Sequence, residues 1–145
     1  MSESPILEGG CLCGAVRYRA EGRPYHITHC HCTLCRRASG APFVTWFSVP
    51  AQGFSFVQGT PSRFASTPAA LRTFCATCGT PLTFQLLAER DEIDVTLCSL
   101  DDPNVLIPED HTYIRSRLRC IALADGLPQF ATTRDQAGDP RRRSG

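Results

Sequence analysis

Seven of the nine cysteines in this 145-residue chain fall into three tight groups: Cys11 with Cys13, Cys30 with Cys32 and Cys35, and Cys75 with Cys78. Thiols spaced as C-x-C and C-x-x-C in short turns share a partner atom, and a metal ion is the simplest one. A disulfide framework fits less well. The cysteine count is odd, and residues 1–8 have neither the basic start nor the apolar centre of a secretory signal. Two tetrahedral zinc ions need eight ligand positions, and the three groups supply seven. The two pairs combine naturally into one closed site of four thiolates. The triple then forms a second site that lacks a fourth protein ligand. An exchange of pairs between the sites is the alternative partition.

The two sites imply different roles. A closed four-thiolate site is structural and supplies roughly 10–16 kcal/mol of apparent binding free energy, coupled to folding. A three-thiolate site keeps a corner where a substrate oxygen or sulfur can bind. A histidine filling that corner is the main rival. His31 lies inside the motif but faces away from its neighbouring thiols. His26 and His29 precede it, and His111 is distant in sequence. His29 and His31 otherwise read as core groups or supports for the ligands, and His111 as a core, surface or pocket-lining residue. Arg36 and Arg37 follow the triple and read either as solvated arginines or as cations that offset its negative charge and hold a substrate carboxylate. Cys98 and Cys120 read as buried apolar thiols.

The rest of the chain points to a mainly β domain. Short alternating or β-branched runs at residues 15–20, 25–29, 43–49, 54–57, 62–65, 71–74, 82–86, 92–97, 111–114 and 120–123 read as strands. Trp46, Phe43 and Phe47 read first as core aromatics, with the lining of a substrate pocket as the alternative for one of them. Residues 1–8 read as a loose lead-in, and Gly9-Gly10-Cys11-Leu12-Cys13-Gly14 as a turn in which glycines take left-handed angles. Residues 36–39 suit one helical turn ended by Gly40. Strand, C-x-x-C-G, strand around Cys75, Cys78 and Gly79 has the shape of a zinc knuckle. Residues 132–145 are a polar tail ending in Arg141-Arg142-Arg143, read as solvated and disordered.

Composition removes several function classes. All fifteen basic residues are arginine, which excludes Schiff-base lysine chemistry and the P-loop lysine. A net charge of +1 gives no global electrostatic case for nucleic acid or membrane binding. No apolar run approaches the length of a membrane span.

Read together, Gly9-Gly10-Cys11-Leu12-Cys13-Gly14-Ala15-Val16-Arg17-Tyr18, Cys30-His31-Cys32-Thr33-Leu34-Cys35-Arg36 and Phe74-Cys75-Ala76-Thr77-Cys78-Gly79 closely resemble the glutathione-dependent formaldehyde-activating enzyme family, which also includes centromere protein V. His111-Thr112-Tyr113-Ile114-Arg115-Ser116-Arg117 and Asp125-Gly126-Leu127-Pro128 are similar to that family's C-terminal pattern. The resemblance implies an all-β, zinc-stapled β-tent of short antiparallel strands over residues 5–131. It implies a structural zinc on Cys11, Cys13, Cys75 and Cys78. It also implies a catalytic-type zinc on Cys30, Cys32 and Cys35, where a carbon–sulfur lyase would make or break S-(hydroxymethyl)glutathione or a related thiol–aldehyde adduct. A non-catalytic zinc-binding interaction module is the alternative, and a redox-sensing thiol switch a weaker third. The expected setting is cytoplasmic, with a small thiol substrate, no nucleic acid or membrane partner, and the oligomeric state left open.

Overall fold

The computed structural model describes residues 5–134; the arginine-rich end of the tail lies outside them. Ten strands and one short helix follow in order: β1 (Ile6–Gly10), β2 (Arg17–Glu21), β3 (Tyr25–Cys30), α1 (Thr33–Ser39), β4 (Val44–Pro50), β5 (Phe54–Gln58), β6 (Ser62–Thr67), β7 (Ala70–Phe74), β8 (Pro81–Leu86), β9 (Glu92–Thr96) and β10 (Asp110–Thr112). They form two sheets, one of order β1-β2-β5 and one of order β10-β3-β4-β9-β8-β7-β6. The protein is all-β in class. One expectation needs correction: β10 pairs with β3 in parallel, against the antiparallel rule that the other registered pairs follow. A parallel neighbour requires a long crossover, and the chain between β3 and β10 provides one.

The described residues fall into two compact units. The first takes in the chain up to Ile27 and Trp46–Ile107; the second takes in Thr28–Thr45 and the chain from Pro108 onward.

In the first unit, period-2 alternation builds the core. Tyr18 and Ala20 of β2 point inward while Arg19 and Glu21 between and after them are exposed. Phe47 of β4 stands opposite Val95 of β9. With Ile27, Val49, Leu97 and Leu100 they form the main apolar cluster. Each such side chain, fully buried, contributes about 1.5–3 kcal/mol. A second cluster joins Val16 and Leu82 to the sulfur-bearing residues Cys11 and Cys75.

Residues 6–10 are a strand, where a loose lead-in and a left-handed glycine turn are the sequence expectations. Only Gly14 of that turn takes a positive φ, +81°. Gly9 has a different reason to lack a side chain. A Cβ there would lie 2.3 Å from the Ser99 carbonyl oxygen and 2.4 Å from the Tyr18 hydroxyl. The buried Tyr18 hydroxyl bonds Ser99 Oγ at 2.8 Å, so the strand must pass this close.

In the second unit, β3 runs directly into α1. Cys32 is the N-cap, and its Sγ accepts the N–H of Cys35. The helix therefore starts earlier than residue 36 and carries Cys35 inside it, whereas the sequence suggests one tight turn holding all three thiols. It stops at Gly40, whose N–H returns to the Arg36 carbonyl. The parallel register sets Asp110 beside Thr28, His111 beside His29 and Thr112 beside Cys30. The strand expected over 111–114 ends at Thr112, because Tyr113 turns to φ +56° and opens a 3₁₀ turn at Ile114–Ser116. Residues 120–123 are not a strand; Ile121 N–H turns back to the Leu118 carbonyl.

Candidate metal centres

The first unit gathers Cys11, Cys13, Cys75 and Cys78, whose sulfurs all lie within 4.8 Å of one another. Cys11 and Cys13 leave the end of β1, while Cys75 and Cys78 occupy the turn between β7 and β8. In that turn Gly79 takes φ +82°, an angle costly for a residue with a Cβ, and its N–H bonds the Cys75 carbonyl at 2.8 Å. The knuckle geometry read from the sequence is present.

Three observations fit this group to a zinc ion. Sulfurs bound 2.3 Å from a tetrahedral zinc stand about 3.8 Å apart. Cys11 and Cys13 are separated by 3.6 Å, and Cys13 and Cys75 by 3.7 Å. None of the cysteines forms a disulfide, which would need sulfurs about 2.05 Å apart. Backbone N–H groups also point at sulfur: Val16 at Cys11 (3.2 Å), and Thr77 and Cys78 at Cys75 (3.3 and 3.4 Å). Such bonds stabilise the thiolate form that a metal requires. The Thr80 hydroxyl and amide beside Cys78 push its thiol down to about 5.

The second unit gathers Cys30, Cys32 and Cys35, again with sulfurs within 4.8 Å of one another. Cys30 and Cys35 are buried, and Cys32 is half-buried. Each thiol comes from a different local setting: the end of β3, the helix cap and the first turn of α1. Contacts with Cys30 and Cys35, helped by the amides of Cys35 and Leu34, push the Cys32 thiol down to about 2. Cys32 and Cys35, with burial, push the Cys30 thiol up. One thiolate thus forms readily, and a second beside it needs a cation. These are donors for a soft or borderline metal ion, zinc among them.

The histidines engage elsewhere. His31 is fully buried, and its Nε2 lies 2.9 Å from His111 Nδ1. His111 Nε2 in turn meets Asp125 Oδ2 at 2.7 Å. His29 Nδ1 meets Thr45 Oγ1 at 2.7 Å. Burial, with the other histidines nearby, pushes His31 down to about 4. Burial lowers His29 as well. His29, His111 and Asp125 also lie within 4.8 Å of one another by their donor atoms. Phe43 packs against His29 and His31, with ring centroids 5.3 and 4.9 Å away, so it lines this cluster and is not a core aromatic like the buried Trp46 and Phe47.

Other expectations change. Arg36 is not simply solvated: its guanidinium donates to the Ser116 carbonyl, tying α1 to the Ile114–Ser116 turn. Cys98 and Cys120 are exposed, not buried. After β9 the chain tightens into the 3₁₀ turn Leu97–Ser99, which buries Leu97 and Ser99 and turns Cys98 out. Cys120 lies on a surface turn. Sequence reading assigns no site role of its own to Asp125 or Thr45. The Asp125-Gly126 signal marks the turn but not the histidine it reaches.

Comparison with known proteins places the chain among relatives. A protein of Schizosaccharomyces pombe named as an uncharacterized lyase is 34% identical over 80 residues, covering 55% of this chain and 58% of that protein. A provisionally named glutathione-dependent formaldehyde-activating enzyme of Halomonas elongata is 47% identical over 36 residues, covering 24% of this chain and 23% of that one. The matches thus span less than two thirds of either relative. A crystal structure of a Rhodobacter sphaeroides protein has the same fold, with a TM-score of 0.52 and 22% identity, over 86% of this chain and 99% of that one. The model of the glutathione-dependent formaldehyde-activating enzymes matches residues 6–116, which takes in all seven clustered cysteines, and the chain belongs to that family.

Proposed function

We propose that this chain is a zinc-dependent carbon–sulfur lyase that makes or breaks a thiol–aldehyde adduct, with the adduct of glutathione and formaldehyde as the first candidate. The observation that carries the reading is the contrast between the two cysteine groups. One gathers four sulfurs; the other gathers three, and among the described residues no further donor joins it. The family and the name of the Halomonas elongata relative support the substrate class, and the name of the Schizosaccharomyces pombe relative supports a lyase.

On this reading Cys11, Cys13, Cys75 and Cys78 hold a structural ion, and Cys30, Cys32 and Cys35 hold the one at which substrate binds. Cys30, Cys32 and Cys35 would hold this zinc, which would supply a Lewis acid for a sulfur or oxygen donor of the substrate. The chain's own part is positioning. The helix cap locks Cys32 and Cys35 at a fixed spacing through the Cys35 N–H···Sγ bond of 3.2 Å. The Arg36–Ser116 bond holds α1 in place. Adduct formation joins the thiol sulfur to the carbonyl carbon while a proton passes from sulfur to oxygen, so no oxidant or reductant is needed. Binding thiol and aldehyde side by side supplies effective concentration, the main gain available to such an addition.

The test is Cys35→Ser in the full chain. Zinc content should fall by one ion with the fold retained, and the exchange between formaldehyde and its glutathione adduct, followed by NMR, should lose its catalysis. A variant that exchanges at the wild-type rate overturns the proposal. Zinc-edge absorption gives a second check. In protein loaded to two zinc ions per chain, one on each thiol group, mean sulfur coordination is about 3.5 and should rise to about 4 with glutathione. No rise argues for a non-catalytic zinc-binding interaction module.

A further inference from the structure

We propose that His29, His111 and Asp125 form a third metal site in this chain, a two-histidine, one-carboxylate set for a borderline divalent first-row cation such as zinc, cobalt(II) or iron(II). It uses none of the cysteines.

The backbone creates the juxtaposition. In the parallel register of β3 and β10, His111 is the direct partner of His29, so both side chains leave the sheet on one face. Their ring centroids are 4.7 Å apart. His111 is clamped from its other side as well: its N–H bonds the Pro128 carbonyl and its carbonyl accepts from Phe130 N–H, each at 2.9 Å. The segment that does this follows Asp125 and brings its carboxylate to the same face. The donor atoms of all three residues then lie within 4.8 Å of one another.

Each donor is also oriented from behind. His29 Nδ1 is held by Thr45 Oγ1 at 2.7 Å, which leaves Nε2 as its donor. His111 Nδ1 is held by His31 Nε2 at 2.9 Å, which leaves Nε2, the atom facing Asp125 Oδ2. Asp125 Oδ1 accepts the Leu127 N–H at 3.1 Å, which leaves Oδ2. Metal-binding histidines almost always have the second ring nitrogen fixed in this way, and ligating carboxylates have their own partners. A buried structural ion pair needs only one histidine and one carboxylate. It does not need a second imidazole stacked beside the first with its outer nitrogen independently anchored.

The donor chemistry sets the class of ion. Two imidazoles and one carboxylate suit zinc, cobalt(II) or iron(II) and leave positions for an exogenous ligand; soft copper(I) and hard calcium fit poorly. The side is reachable, since the Asp125 side chain is 41% exposed while that of His111 is 2% exposed.

The experiment is metal counting on the full chain after equilibrium dialysis against micromolar zinc, by elemental analysis. Wild type should hold three zinc ions. Asp125→Ala and His29→Gln, at the exposed and half-buried positions, should each hold two and weaken the third site at least tenfold, with circular dichroism unchanged. Buried His111 is left intact because its loss could unfold the chain. Cobalt(II) loading gives a second readout: Asp125→Ala should remove a weak nitrogen/oxygen-type absorption and leave the intense sulfur-to-cobalt bands. Two ions in the wild type, or three that neither variant reduces, overturn the proposal and leave the cluster a hydrogen-bonded group. The thiol sites are judged separately: Cys35→Ser should remove one ion whether or not Asp125→Ala does.

Discussion

Replacing Cys75 by serine tests whether the four-thiol group holds a metal that stabilises the fold. Cys75 is 1% exposed, and its sulfur accepts the Thr77 and Cys78 N–H groups at 3.3 and 3.4 Å. Serine has nearly the same shape and can accept the same bonds, so packing changes little. What disappears is one thiolate of four. If a structural zinc contributes roughly 10–16 kcal/mol, an even quarter is about 2.5–4 kcal/mol. One kcal/mol moves the midpoint of a chain this size by about 2–4 °C, so the expected fall is about 5–16 °C. The assay is thermal unfolding by circular dichroism on zinc-loaded protein, with and without a strong chelator. Chelator should bring wild type and variant to nearly the same midpoint, below that of the zinc-loaded variant, and so lower the wild type by more. Cys98→Ser, exposed and outside both groups, should melt like the wild type. The reasoning fails if Cys75→Ser melts within about 2 °C of the wild type with its zinc content intact, or if the chelator leaves the wild-type midpoint alone.

Other consequences follow from single residues. Gly9→Ala would place a Cβ 2.3 Å from a backbone oxygen that cannot move aside; overpacking of this kind costs about 1–3 kcal/mol or more, read as a lower urea midpoint. Leu82→Ala, at a fully buried position beside Cys11 and Cys75, should cost about 2–5 kcal/mol and loosen zinc at the four-thiol group, measured by the rate of zinc transfer to a colorimetric chelator. Burial pushes the Tyr18 hydroxyl up to about 12, against the Ser99 hydrogen bond that lowers it. Its unfolded value is about 10, so the folded state keeps a proton the unfolded state has lost. Stability should therefore hold below pH 10 and fall by up to about 2.7 kcal/mol as pH rises to 12, a loss absent in Tyr18→Phe. Arg36→Ala removes the bond to the Ser116 carbonyl and should lower stability by about 1–3 kcal/mol, read as a lower urea midpoint.

Local signals fared best where one short stretch decides its own conformation. Most strands of the first unit lie within a residue or two of the alternating runs, because period-2 patterning reports which face is buried. Gly79 after C-x-x-C marks a left-handed turn for the same local reason. Local reading failed where a distant segment sets the outcome. Gly9-Gly10 looks like a flexible turn until Tyr18 is packed against it. Residues 120–123 have strand-like composition, yet no neighbouring strand takes them up. Cys98 continues an apparent alternation that the Leu97–Ser99 turn breaks. Cys35 has the spacing of a turn ligand but sits inside a helix, since Cys32 caps it.

The sequence alone determined the chemistry available: seven clustered thiols, a count one short of two tetrahedral sites, no lysine, and spacing that matches one family. Those properties are carried by neighbours along the chain. Which thiols meet was only a reasoned partition until the fold brought the ends of β1 and β7 together and left the triple at the junction of β3 and α1. The histidine cluster was not legible at all. His29, Thr45, His111 and Asp125 are separated by up to 96 residues, and a parallel pairing between β3 and β10 is what aligns them. No local pattern encodes that register; it is set by the long crossover and by the backbone bonds that clamp β10 on both sides.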